Sequence, residues 1–362
     1  MLKLIYFLVI LLGLIFRKSK IVRGIQIAAM WVIFALNSWN EDDIIYRRIY
    51  SGYYGKRHEM GFDWLCSSCR NLGIPYEAFR LVYVTIGLIL LIYALYKLFP
   101  KAGNDGYSLL LFYPLLAFVE LLRNFFAWAI VLCGIAWYFQ QKKKGIRNKI
   151  IYALIVLLAS TIHYSALFFW VLLLDDGSSP NRESYVKVIL LSISSVVLLN
   201  LPIISRIVRV VFQSDKVSTW FNNSNRIGMG IILIISFHLI QFLIYDQYYR
   251  NYSNHGDTEN KNKLRMLYSM NLYSFFLMGF YTYNFEFFSR IYTLLMAIDI
   301  MHISEMAGTS NDEILVIKGT RNELMLMFSQ LAFQILLAVF FLRPFSQDGI
   351  MSMILNNNYL FK

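Results

Sequence analysis

Apolar stretches long enough to cross the hydrocarbon core of a bilayer recur from one end of this 362-residue chain to the other. An apolar helix needs about 20 residues to span that core, and a soluble fold of this size has no use for so many of them. The runs are continuous rather than alternating, which favours helices over a β-barrel. Composition agrees: 58% of residues are hydrophobic, 15% are charged, and the mean hydropathy is +0.52. The expected fold is all-α, a polytopic transmembrane helical bundle.

Hydropathy places the spans at 2–16, 21–38, 81–98, 107–120, 124–139, 149–162, 164–174, 187–203, 227–245, 267–283, 287–303 and 323–342. That is about twelve crossings of a single integral membrane domain, residues 1–362. The runs 107–120 and 164–174 are short. They either tilt or bend with a neighbour, or enter halfway beside a cavity. The run Leu2–Phe16 is followed by Arg17, Lys18, Lys20 and Arg23 and by no small-residue cleavage site. It reads as a retained transmembrane helix with its amino terminus outside.

Alternating the sides puts Arg17–Arg23, Lys97–Lys101, Lys142–Lys149 and the loops 246–265 and 305–322 in the cytoplasm. The main outer segment is then 39–80, expected as a re-entrant or interfacial helical piece after the second span. The formal net charge of +12 is accounted for by loops beside anionic lipid, and no nucleic-acid motif accompanies it. Of three cysteines, Cys133 lies in an apolar run, where packing is its role. Cys66 and Cys69 form CSSC, too few ligands for zinc; free thiols are the default, with a local disulfide as the alternative in an oxidising compartment.

Four constellations carry chemistry. In the outer segment Asp42, Tyr46 and Tyr50 are spaced four apart, on one helix face, while Asp43 and Arg47 share a neighbouring face and can pair. Glu59, Gly61, Phe62 and Leu65 follow, and Trp39 precedes. An amphipathic helix in the headgroup region explains this pattern as well as a site does. Glu120, Arg123 and Asn124 sit between two apolar runs: either a short loop with a Glu120–Arg123 pair, or an arginine fork for an anion such as phosphate. His163, among Ser160, Thr161 and Ser165, is either an interfacial histidine or an ionisable group kept for function. The fourth constellation is Glu286 and Arg290, spaced i,i+4 at an apolar boundary with Tyr292 close by, where a structural ion pair is the plain alternative. Arg206 and Arg209 add outer cations, and His238 lies within an expected span, where a core hydrogen bond suits it. No Walker loop, dinucleotide fingerprint, HExxH or Ser-His-Asp signature is present, and the GMG at Gly228–Gly230 has no supporting context.

Taken in order, these pieces resemble the EpsG family of Wzy-type polysaccharide polymerases. The resemblance rests on Asp42, Tyr46, Tyr50, Glu59, Gly61, Phe62 and Leu65, then Arg123-Asn124-x-x-Ala127, then His163-x-Ser165-Ala166, then Arg290-x-Tyr292. It covers residues 1 to about 305. Where the family often has proline after the motif glutamate, this chain has Met60. The resemblance implies an enzyme of the bacterial inner membrane, its site facing the periplasm or exterior. It joins repeat units carried on undecaprenyl pyrophosphate into O-antigen, capsule or exopolysaccharide, releasing the lipid pyrophosphate. The implied partners are the lipid-linked oligosaccharide, membrane lipid, a chain-length regulator and a flippase.

Under that resemblance Glu59, His163 and Asp42 are the candidate catalytic groups. Glu59 and His163 stand equal as the base for the attacking sugar hydroxyl. Arg123 and Arg290 are expected to hold the pyrophosphate. Asp43, Tyr46, Tyr50, Phe62, Asn124 and Tyr292 are expected to bind substrate. No metal and no cofactor are expected, because beyond Asp42–Asp43 no outer acidic cluster is present. A flippase, or a ligase that makes one transfer to another acceptor, are the alternative functions; paired inverted halves would mark a transporter.

Overall fold

The computed structural model describes residues 2–53, 59–141, 145–174, 182–201, 258–277, 285–309 and 349–361, with scattered residues between 236 and 250 and between 328 and 339. Among these, all regular structure is helical, apart from an isolated antiparallel bridge between Asn37 and Asn358. Arg206, Arg209, Gly228–Gly230 and most of the expected span 323–342 lie outside the described residues. The chain divides into two compact units, Met1–Phe169 with Met296–Lys362, and Trp170–Leu295.

The first unit opens with α1 (Leu2–Ile15) and α2 (Lys20–Ala35), then the short helices α3 (Asp43–Tyr50) and α4 (Met60–Asn71). There follow α5 (Tyr76–Leu98), α6 (Asn104–Phe112), α7 (Pro114–Glu120), α8 (Leu122–Gln140) and α9 (Ile146–Ser160). Two of these, α5 and α8, are long and apolar enough to cross a membrane. They pack on one another, and α8 packs also on α9. Gly87 brings them close: a Cβ there would lie 2.4 Å from the Phe125 ring. On α5 the opposite stripe, Val82, Ile86, Ile89, Tyr93 and Tyr96, is exposed. Water would penalise that stripe, and lipid tails would not. Stripes of the same kind run along α1 (Leu4, Leu8, Leu11, Ile15) and α9 (Ile150, Leu154, Leu157, Leu158).

The expected span 107–120 is two helices. Pro114 has no amide hydrogen to continue α6, so the chain turns at Tyr113 and restarts with Pro114 in the first turn of α7. A second break at Leu121 (φ −100°, ψ 51°) separates α7 from α8. The other short run, Tyr164–Leu174, is a 3₁₀ helix. A rise of about 2.0 Å per residue carries it roughly 22 Å, further than an α-helix of equal length would reach.

In the second unit α10 (Arg182–Asn200) and α11 (Thr258–Tyr273), with the 3₁₀ turn Ser274–Leu277 after it, surround an aromatic core of Phe242, Tyr249, Tyr268, Tyr273 and Phe275. Helix α11 begins inside the stretch expected as a loop and ends at Tyr273, well before the expected limit of 283. The unit also holds the beginning of α12 (Phe285–Thr309), whose residues from Met296 belong to the first. In the first unit, α13 (Ile350–Asn356) leads into residues 357–361, which bind the end of α2.

Candidate functional site

Helix α3 is built as the sequence spacing suggests. Asp43 stands in its first turn and Arg47 and Arg48 in its last, so its charges complement the helix dipole. Tyr46 and Tyr50, one turn apart, are both buried. Asp43 is almost wholly enclosed. It pairs with Arg47 at 2.6 Å and with buried Arg80 of α5 at 3.3 Å, and accepts from the Tyr76 hydroxyl at 3.0 Å. Arg80 donates in addition to the carbonyl and side-chain oxygens of Asn37. Tyr50 donates to the Ile74 carbonyl at 2.5 Å, its ring against Tyr76 and Phe79. Asp43 and Tyr50 thus fasten α3 to α5. Asp42 occupies the N-cap position of α3 without a side-chain cap bond. Its backbone amide and that of Glu41 face the Glu120 carboxylate.

Helix α4 is set in place by its amino end. A helix start leaves unbonded N–H groups, and a helix end leaves unbonded carbonyls. Here the two needs meet: Gly61 and Phe62 donate to the carbonyl of Thr161, just past the end of α9, at 2.8 and 3.3 Å. A side chain at position 61 would block this docking, since a Cβ would lie 2.3 Å from the Thr161 hydroxyl and 2.9 Å from its carbonyl oxygen. Glu59, in extended conformation before the first turn, is thereby delivered to the 161–165 turn.

Arg123, in the first turn of α8, reaches Glu59 Oε2 at 2.5 Å. The Glu59 side chain is 7% exposed and that of Arg123 15%, so the pair is largely shielded from water. The guanidinium lies over the rings of Phe62 (5.6 Å) and Tyr46 (5.8 Å), a cation–π cradle that fixes its plane. The other carboxylate oxygen faces the backbone amide of Tyr164 at 3.4 Å and His163 Nε2 at 3.8 Å. On the far side of the imidazole, Nδ1 meets the amide of Ser165 at 3.2 Å and its hydroxyl at 2.8 Å, and Asn124 donates to that hydroxyl at 3.4 Å.

The structure therefore gathers Glu59, Arg123, His163, Tyr46, Phe62 and Asn124 in one place, from three separate stretches of chain. Glu120 and Arg123 do not pair, because the break at Leu121 ends the helix between them. Trp39 stays partly exposed. Tyr292, in the second unit, is buried with its ring edge toward His238 at 5.2 Å, and His238 bonds Ser274 at 2.7 Å. The side chains of Glu286 and Arg290 lie outside the described residues. Among the described residues no three His, Cys, Asp or Glu side chains converge as metal ligands would.

Cys66 and Cys69 are free thiols. Cys66 lies on the buried face of α4, where burial, with Asp63 adding to it, pushes its thiol up to about 12. Three contributors gave little sign in the sequence. Arg80 stands in no motif, Thr161 acts through its backbone, and Ser165 stands beside His163 with no role of its own.

Two helices long and apolar enough to cross a membrane, lipid-compatible faces, and a charged cluster held among the helix ends point to a membrane protein with a shielded polar site. The chain belongs to the EpsG family, whose model matches residues 20–352 and so takes in every residue of this site. No curated protein and no solved structure matches the chain.

Proposed function

We propose that the protein polymerises lipid-linked oligosaccharide repeat units by inverting glycosyl transfer at the outer face of the bacterial inner membrane. The observation that carries this reading is the shielded Arg123–Glu59 pair with His163 beside it, within an EpsG-family chain. In the reaction a sugar hydroxyl of one repeat attacks the anomeric carbon of a second, growing glycan. The bond from that carbon to the pyrophosphate breaks, and undecaprenyl pyrophosphate leaves with the electron pair. The leaving group is already a stable anion, so it requires positive charge more than a proton. Arg123 supplies that charge in a fork that matches phosphate oxygens. The hydroxyl proton passes to the Glu59–His163 pair.

Tyr46 and Phe62 hold the guanidinium, and Tyr46, Phe62 and Asn124 border the sugar. Asp42, Asp43 and Tyr50 keep their places in the proposal through α3. Arg290 and Tyr292 are retained on the family resemblance alone. About twelve crossings, with 39–80 outside, complete the reading.

The test uses the full-length protein in nanodiscs with a synthetic lipid-linked repeat unit, read as a ladder of chain lengths. Replacing Arg123 by Ala should lower the rate by about a hundredfold or more, the scale of losing one preorganised charge donor. A wild-type ladder from R123A would remove the charge role. Substrate moved across the bilayer unextended would mark a flippase, and a single transfer to another acceptor a ligase.

A further inference from the structure

We infer that Ser165 is a positioning residue that keeps the proton of neutral His163 on Nε2, so that Glu59, not His163, receives the proton of the attacking hydroxyl. The inference deepens the polymerase reading and rests on it.

A backbone N–H can only donate. The Ser165 amide, 3.2 Å from His163 Nδ1, therefore requires that nitrogen to be an acceptor. The Ser165 hydroxyl stands 2.8 Å from the same nitrogen. With Nδ1 an acceptor, this hydroxyl donates to it, while its oxygen accepts from the Asn124 side-chain amide at 3.4 Å. Both serine donors thus address one lone pair. In a neutral imidazole with Nδ1 bare, the hydrogen is on Nε2. That nitrogen faces Glu59 Oε1 across 3.8 Å, a gap that a small closure converts into a hydrogen bond. An imidazole arranged this way has no lone pair left on the side of the carboxylate. It orients Glu59 and cannot itself collect a proton there.

Glu59 has the lone pairs that His163 lacks. It is fixed between Arg123, the Tyr164 amide and the imidazole. Any carboxylate is a weak base, but the hydroxyl becomes strongly acidic as its oxygen bonds to the anomeric carbon, so a weak acceptor suffices. The step balances without a co-reactant: the O–C bond forms, the C–O bond to pyrophosphate breaks, the electron pair leaves with pyrophosphate, and the proton moves to Glu59. Once protonated, Glu59 no longer neutralises Arg123. The guanidinium charge is released at the moment the diphosphate anion is expelled.

Two measurements test this on the full-length protein in nanodiscs. The chain has five histidines. With ¹⁵N-histidine label, the resonances lost in H163Q identify His163. At neutral pH its Nδ1 should resonate as a pyridine-type nitrogen and its Nε2 as a pyrrole-type one. S165A should lower the Nε2–H population and S165T should restore it. A pyrrole-type Nδ1 in the wild type overturns the inference.

In the polymerisation assay E59Q should lose about a thousandfold in kcat. H163Q, whose amide still offers an N–H donor, and S165A should each lose only about tenfold, with KM unchanged, and S165T should stay within about threefold of wild type. An H163Q loss equal to that of E59Q makes His163 the base and overturns the assignment. If the wild type extends no lipid-linked repeat at all, the polymerase reading has failed, and the nitrogen spectra still decide where the proton lies.

Discussion

Gly61 shows how much one missing methyl group decides. A Cβ there would lie 2.9 Å from a backbone carbonyl oxygen, and backbone cannot swing aside. G61A should therefore push the start of α4 off Thr161, withdraw Glu59 from Arg123, and cost about 1–3 kcal/mol of stability. A thermal melt and the ladder assay read the two effects, and a variant as active and stable as wild type would refute the docking role. Cys66 supports a second expectation at the same scale. The thiolate is the reactive form, and burial holds this thiol up to about 12, so at pH 8 only about one molecule in ten thousand is reactive. Maleimide should modify C69A/C133A protein more slowly than C66A/C133A protein. Because the proton must leave first, the Cys66 rate should climb about tenfold per pH unit between pH 8 and 10. Equal rates at pH 8 would contradict the buried position.

Helices α3 and α4 are short, and α3 has only eight residues, too few to hold its shape alone. What keeps it is the enclosed Asp43–Arg80 pair and its hydrogen bonds to Asn37 and Tyr76. Removing one partner strands the other charge, so D43A or R80A alone should each cost about 3–5 kcal/mol. The double variant should cost clearly less than the sum, and a thermal double-mutant cycle measures the difference. Additive losses would mean that the pair does not act as a unit. At this scale the sequence was readable where spacing carries the information: the Tyr46–Tyr50 face and the Asp43–Arg47 pair follow directly from four-residue intervals. It was not readable where the contact depends on distant chain. Glu59 meets Arg123 across 64 positions, and local spacing favoured the nearer Glu120 for that arginine. The break at Leu121 that rules out the nearer partner has no proline or glycine to announce it; Pro114, which breaks the expected span 107–120, does.

For the whole molecule, the length and continuity of apolar runs convey the helical class, but not the lipid-compatible faces or the helix ends, because lipid rewards any apolar residue equally and marks no boundary. The proposed sidedness can be tested directly in a chain cleared of its own cysteines. L72C, highly exposed beyond α4, should react with a membrane-impermeant maleimide on intact cells, and K18C only after lysis. The reverse pattern would turn the proposed site toward the cytoplasm. One further feature bears on how the protein is made. Residues 357–359 bond residues 32–38: the Asn357 carbonyl accepts from Ser38, Asn358 donates to Val32, and Tyr359 donates to Leu36. Asn37, in turn, receives Arg80 and Asn40. The bend that launches segment 39–80 is therefore moulded by residues made 326 positions after Val32. A nascent chain that has not yet reached them would hold the start of that segment loosely.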